Sequence, residues 1–107
     1  MTATPDGYVT VIWQTRAKPG KEADLKAFIT AAVTPSRNDA GNIEYEAHEV
    51  EGRPGAFVIY ERWANRGYLD AHLGAPRMRE LVPLMLELID GSIEDGITLL
   101  HPFRPAQ

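Results

Sequence analysis

The order of residue patterns along the chain predicts an α+β fold of the ferredoxin-like type, the split β-α-β arrangement. Four segments rich in β-branched and aromatic residues are typical of strands, and apolar residues at helical spacing lie between the first and second and between the third and fourth. We therefore expect a four-stranded antiparallel sheet with helices on one face. A single domain is expected over residues 1–107, with a flexible N-terminal tail at 1–7 and a C-terminal tail at 101–107.

The first half of the chain predicts one strand and one helix. Apolar and polar side chains alternate over 8–17, which predicts a half-buried strand. An apolar stripe at i, i+3, i+4, i+7 and i+8 predicts a helix over 21–33. Pro35 is expected to mark the end of this helix, because proline fits poorly in a helix interior. Residues 36–41 are then a polar loop.

A hairpin is predicted next, with strands over 42–50 and 56–63 joined by the turn at 52–55. The earlier strand alternates, with Ile43, Tyr45 and Ala47 on one face. This pattern predicts a strand that is solvated on its other face.

The last part of the chain predicts a short helix over 65–73, a second apolar stripe over 76–89 and a final strand over 93–100. Pro83 lies inside the second stripe and is expected to kink or break that helix. Gly96 is expected to be a weak point or bulge in the last strand. Helices on one side leave the other sheet face uncovered, so we expect a second copy of the chain to cover it in a homodimer.

Composition excludes several classes of function. The formal charge of −4 argues against nucleic acid and anionic membrane surfaces as partners. There are no cysteines, so disulfides and thiolate chemistry are excluded. The N-terminus lacks the pattern of a signal peptide, and no apolar run approaches a membrane span, so a cytoplasmic location is expected. No metal-ligand spacing, glycine-rich nucleotide motif or P-loop occurs, so neither a metal nor another cofactor is predicted.

The segment 57–73 carries the most specific pattern. A strand ends in Glu61-x-Trp63, and a short helix bearing His72 follows. This pattern resembles the signature of the antibiotic biosynthesis monooxygenase (ABM) family. The segments that resemble other parts of the family are 18–21, 36–45 and 75–81.

The resemblance implies a dimeric α+β barrel with a pocket in each subunit between sheet and helices. Some ABM members oxidise quinols or polycyclic aromatics with O₂ and no cofactor, whereas others degrade haem. Haem-degrading members carry an asparagine on the first strand, a tryptophan on the short helix and a histidine one helix-length later. The matching positions here are Trp13, His72 and Val82, which depart from that pattern and disfavour haem degradation.

On this resemblance, His72 is the candidate general base, since an imidazole suits proton transfer near neutral pH. Trp63 is the second candidate catalytic residue, with its indole in the pocket wall and stacked on a flat substrate. The alternative is that Trp63 is a core tryptophan at the end of a strand. Trp13 and Tyr45 are candidate substrate-binding residues, although either side chain suits sheet packing equally well. Arg79 is the candidate donor to a substrate oxygen, or else a solvated helix residue.

Glu61 is interpreted as an organising residue that pairs with Arg62 or caps a helix. Together these features suggest a cofactor-independent monooxygenase, an oxidoreductase acting on a quinol or polycyclic aromatic. Two alternatives remain open: a non-catalytic small-molecule-binding or stress-response dimer, and an isomerase or decarboxylase of a small enolisable compound.

Overall fold

The computed structural model describes residues 7–103 and contains one four-stranded sheet with three helices. The predicted first tail lies almost wholly outside these residues, as does most of the second. No helix within the described range is long and apolar enough to cross a membrane. The elements are β1 (Val9–Arg16), α1 (Glu22–Arg37), β2 (Asn42–Glu49), β3 (Ala56–Trp63), α2 (Arg66–Leu73), α3 (Pro76–Leu86) and β4 (Ile97–Leu100).

The sheet confirms the predicted topology. Its strand order is β2-β3-β1-β4, and every neighbouring pair is antiparallel. In the register, Glu61 of β3 lies opposite Tyr45 of β2 and Val11 of β1, and Val11 lies opposite Leu99 of β4. Because facing residues in a ladder point to the same side of a sheet, these four side chains form one row beneath the helices.

The hydrophobic core lies between the sheet and the helices. Alternate residues of β1 and β3 point inward, as the sequence predicts. Leu25 of α1 and Leu69 of α2 are fully buried against this face. The inward residues of the two central strands are Val9, Val11, Trp13, Phe57, Ile59, Glu61 and Trp63.

The first helix is longer than the sequence predicts. It continues through Pro35 and ends at Arg37, so Ser36 and Arg37 are helical instead of part of a loop. Ser36 is buried, and the Arg37 Nε donates a hydrogen bond of 2.9 Å to the carbonyl oxygen of Tyr45. These contacts hold the last turn against the sheet and outweigh the backbone hydrogen bond that proline lacks.

The hairpin of β2 and β3 is confirmed, with one irregularity at its open end. The register shifts between Asn42 and Glu44, which leaves Ile43 in a bulge and 47% exposed. The expectation that Ile43 shares the buried face with Tyr45 is therefore wrong, because an extra residue breaks the alternation.

The last strand is shorter than predicted. Residues Glu94–Gly96 form one turn of 3-10 helix, and β4 begins only at Ile97. A side chain at Gly96 would approach the Gln14 carbonyl oxygen to 2.0 Å, so glycine is required where this turn crosses β1. The preceding helix, α3, runs through Pro83 and ends at Leu86, before the predicted end at residue 89.

Candidate functional site

A cavity lies between the inner face of the sheet and all three helices. It offers about 90 Å³ of space to water-sized molecules, several times what a single water needs. Most of its wall is apolar and comes from the middle of the sheet, α1 and α3. Its polar wall residues are Ser36, Tyr45, Glu61, His72 and Arg77. An apolar cavity with a few polar groups is the usual form of a small-molecule site.

His72 is positioned by α2, a two-turn helix that begins with a side-chain cap. The Asn65 side chain accepts a hydrogen bond from the backbone N–H of Tyr68. His72 lies in the last turn and is only 4% exposed. The helix therefore delivers a buried imidazole to the cavity wall.

The His72 ring is held by Asp39, which lies in the connection between α1 and β2. The His72 Nδ1 lies 2.7 Å from the Asp39 Oδ2. Because an ionised carboxylate can only accept, we assign the proton to Nδ1, which leaves Nε2 with its lone pair. Burial lowers the pKa of His72 despite the opposing effect of Asp39, so the ring is neutral near pH 7.

Arg77, in the first turn of α3, holds the other side of Asp39. Its Nη2 lies 2.8 Å from Oδ2 and its Nη1 lies 3.3 Å from Oδ1, a two-point contact with the carboxylate. Burial alone would raise the pKa of Asp39, but the hydrogen bonds from Arg77 and His72 and the positive charge of Arg77 together lower it. Asp39 is therefore a fixed anion that orients His72.

Trp63 lies behind His72 and does not line the cavity. It is fully buried, and its ring centroid is 4.6 Å from that of His72, with the two planes tilted by 32°. The structure therefore places Trp63 where it supports the imidazole, which corresponds to the core alternative more than to the substrate-stacking wall.

Glu61 is a buried carboxyl group that forms no ion pair within the described part of the chain. Its Oε1 accepts a hydrogen bond of 3.0 Å from the Trp63 Nε1, and its side chain lines the cavity. Burial raises the pKa of Glu61 to about 7, although the Trp63 hydrogen bond opposes the shift. Arg62 points to the opposite face and pairs with Glu44 at 2.7 Å, so the expected pairing of Glu61 with Arg62 is wrong.

Tyr45 and Trp13 both lie on the cavity wall. Burial and the neighbouring Glu61 raise the pKa of Tyr45 to about 12, so its hydroxyl stays protonated. The Tyr45 ring centroid is 6.2 Å from that of His72. Trp13 donates from its Nε1 to the carbonyl oxygen of Ile93 at 3.2 Å, which fixes the indole at the other end of the cavity.

Arg79 is not brought to this site. It is exposed and does not line the cavity, whereas Arg77 does. Residues two apart on a helix point in different directions, so choosing between the two arginines requires the rotation of α3. Asp39 was missed altogether, because no local pattern links a loop carboxylate to a histidine 33 positions away.

The chain matches the family described as "Antibiotic biosynthesis monooxygenase" over residues 8–84. It is 30% identical over 98 residues to "Putative monooxygenase Rv0793" of Mycobacterium tuberculosis, covering 92% of this chain and 94% of that protein. It is also 31% identical over 84 residues to "Uncharacterized protein sll1783" of Synechocystis, covering 78% of this chain. The matched region spans only 57% of that longer relative.

Solved structures give the same result for the fold. The structure of Rv0793 from Mycobacterium tuberculosis superposes with a TM-score of 0.82 at 29% identity, covering 94% of this chain and all of that one. PA3566 from Pseudomonas aeruginosa gives 0.79 at 22% identity, covering 97% of this chain and all of that one, a likeness of fold alone. With a family match over most of its length and a relative at 30% identity along nearly the whole chain, this protein belongs to the antibiotic biosynthesis monooxygenase family.

Proposed function

We propose that this protein is a cofactor-independent monooxygenase that oxidises a quinol or another phenolic aromatic with O₂. Family membership and the name of the Mycobacterium tuberculosis relative support a monooxygenase-like function in general. The observation that carries the finer proposal is the pair His72–Asp39, 2.7 Å apart at the wall of an apolar cavity. A neutral imidazole with one nitrogen anchored and the other free is the arrangement of a general base.

The proposed chemistry begins with proton removal. His72 Nε2 takes the proton from a phenolic hydroxyl, and the electron pair stays on the oxygen. Asp39 stabilises the imidazolium that forms, because its carboxylate already accepts from Nδ1. The resulting phenolate is electron-rich and passes an electron to O₂ more readily than the neutral phenol does. The apolar wall keeps water away from this reactive pair.

Trp13 and Tyr45 are proposed to hold the substrate ring. Both line the cavity, and their side chains stand on neighbouring rows of the same sheet face. Arg77, and not Arg79, is the arginine at the cavity wall. Because its guanidinium is bound to Asp39, we propose that it positions His72 instead of donating to a substrate oxygen. No resident cofactor or metal is required by this chemistry.

The quaternary structure is proposed to be a homodimer formed through the outer sheet face. This face carries half-buried or exposed apolar side chains, including Ile12, Val58, Tyr60 and Leu100. A second copy would remove this apolar area from water. Sedimentation equilibrium tests the proposal: a Tyr60→Glu variant should be monomeric if the face forms the interface, and unchanged association would exclude it.

Oxygen uptake tests the proposed reaction. A panel of reduced quinols is added to the wild type, to His72→Gln, to His48→Gln and to buffer alone. His48 is an exposed histidine on β2, which makes it a matched control. We expect uptake above autoxidation in the wild type and the His48 variant, and a loss of roughly 10²–10⁴-fold in His72→Gln. Equal uptake by both variants would contradict His72 as the base.

The two alternative functions predict different results, which binding and anaerobic turnover measurements distinguish. A binding protein should retain ligand affinity in His72→Ala with no turnover to lose. An isomerase or decarboxylase should convert its substrate at an equal rate under nitrogen. Either outcome would displace the oxygenase proposal.

A further inference from the structure

Glu61 lines the cavity but takes no part in the proton removal proposed for His72. It is 7% exposed, it lines the cavity, and one of its oxygens is anchored to the Trp63 indole at 3.0 Å. Its second oxygen, Oε2, has no hydrogen-bond partner among residues 7–103. A buried carboxyl oxygen without a partner is costly, and at a cavity wall a polar group of a ligand can supply that partner.

Among residues 7–103, no positively charged side chain pairs with Glu61 to favour its carboxylate. Arg77 is engaged with Asp39, and Arg62 is on the opposite face of the sheet with Glu44. The titratable and charged side chains packed around the cavity's polar end are Tyr45 from β2, His72 from α2, Arg77 from α3 and Asp39 from the α1–β2 connection.

We infer that Glu61 is a neutral carboxylic acid that donates a hydrogen bond from Oε2 to the substrate oxygen from which His72 removes a proton. This inference rests on the proposed role of His72 as base. In the step, the phenolic O–H bond breaks and an N–H bond forms at His72 Nε2. The electron pair remains on the oxygen, and Glu61 keeps its own proton while donating to that oxyanion.

Trp63 couples the two groups. Its indole N–H donates a hydrogen bond to Glu61, and its ring centroid lies 4.6 Å from that of His72. Both side chains are therefore positioned by contacts with the same buried residue. A carboxylic acid kept neutral by an apolar site is a known way to supply an oxyanion donor near pH 7. The ligand class that fits is a phenol or enol whose oxygen reaches the polar end while its ring fills the apolar remainder.

The arrangement also sets a pH range for the pair. His72 must be neutral, which holds above its lowered pKa, and Glu61 must be protonated, which holds below about pH 7. Above that pH, an ionised Glu61 would repel a bound phenolate. Activity and phenolate binding should therefore both decline on the alkaline side of neutrality.

The test uses 2,4-dinitrophenol as a probe, because it is ionised on both sides of neutrality, its ionised form absorbs in the visible range and no turnover is needed. Binding is measured on both sides of the Glu61 pKa of about 7 in the wild type, Glu61→Gln, Glu61→Ala and Glu51→Gln. Glu51 lies exposed in the hairpin turn and provides a matched control. Melting temperatures on the acid side, where Glu61 is neutral, establish that the variants are folded.

We expect the wild type and Glu51→Gln to bind the phenolate about tenfold or more weakly at the alkaline end than at the acid end, the scale of one hydrogen bond to a charged group. Glu61→Gln keeps an N–H donor and should bind with an affinity that does not change across this range. Glu61→Ala should bind about tenfold or more weakly than the wild type at the acid end.

An identical pH dependence in the wild type and Glu61→Gln would overturn the inference, as would equal acid-side affinity in Glu61→Ala. The expected pattern of phenolate binding, together with no oxygen uptake from the quinol panel, would leave the inference standing and contradict the monooxygenase proposal, so the two failures are distinguishable.

Discussion

The two faces of β3 place charged residues in opposite environments. On the outer face, Arg62 and Glu44 form an ion pair of 2.7 Å at the surface. On the inner face, Glu61 is buried, accepts a hydrogen bond from the Trp63 indole and has a pKa raised to about 7. Adjacent residues of one strand therefore carry a paired surface charge and an unpaired buried acid. Burial of an unpaired acid lowers the stability of the folded state, and groups of this kind are common at functional sites.

The largest contrast between the faces concerns stability. Trp63→Ala should cost roughly 3–5 kcal/mol of unfolding free energy, because a fully buried indole is replaced by a cavity. Arg62→Ala, one position earlier, should cost only a small fraction of that, because the pair lies at the surface. Urea unfolding of both variants measures the difference. Comparable losses would mean that the outer face is also a packed core.

Glu61→Gln should stabilise the protein at alkaline pH. The unfolded Glu61 loses its proton near pH 4.5 and the folded one near pH 7, so the folded state binds more protons in between and wild-type stability falls as pH rises through that window. The difference amounts to roughly 3 kcal/mol at about 1.36 kcal/mol per pKa unit. Urea unfolding at acid and alkaline pH, with Glu51→Gln beside it, should show the gain only for Glu61→Gln and only on the alkaline side.

Asp39→Asn should weaken the orientation of His72. The amide lacks the negative charge that raises the His72 pKa, so that pKa should fall further below its ordinary value. Turnover should drop by part of the roughly 10²–10⁴-fold expected for a general base. Titration of the His72 ring by NMR, alongside oxygen uptake, checks both effects. An unchanged ring titration would show that Asp39 does not hold the imidazole.

Trp63→Phe should have the smallest effect and the most specific one. The ring stack on His72 remains, but the N–H donor to Glu61 is lost. Because that hydrogen bond favours the carboxylate, its loss should move the Glu61 titration to still higher pH. Infrared measurement of the protonated carboxyl band follows this shift. A shift to lower pH would contradict the assigned hydrogen bond.

Much of the fold could be predicted from the sequence, because strand alternation and helical spacing follow from which side faces the core. The bounds of β3 were predicted without error. The end of α1 was not, since Ser36 and Arg37 are held by contacts with the sheet that local patterns do not contain. The start of β4 also depends on a tertiary feature, the crossing of Gly96 over the Gln14 carbonyl.

The candidate site was predictable only in part. A histidine after Glu61-x-Trp63 marks α2, but its partner Asp39 comes from a distant loop. The role proposed for Glu61 could not be predicted either, because a raised pKa arises from burial, and burial requires the packed helices. Choosing Arg77 over Arg79 depends on the rotation of α3, which sequence spacing alone leaves open.

The most direct test of this account is the protonation state of Glu61 and His72 in one sample. With the glutamate side-chain carboxyls labelled with carbon-13 and the histidine rings with nitrogen-15, NMR spectra are followed through neutrality. The account predicts that His72 is neutral with its proton on Nδ1, and that Glu61 remains protonated until about pH 7. A Glu61 carboxyl that is already ionised well on the acid side of neutrality, or a His72 ring doubly protonated near neutral pH, would contradict it.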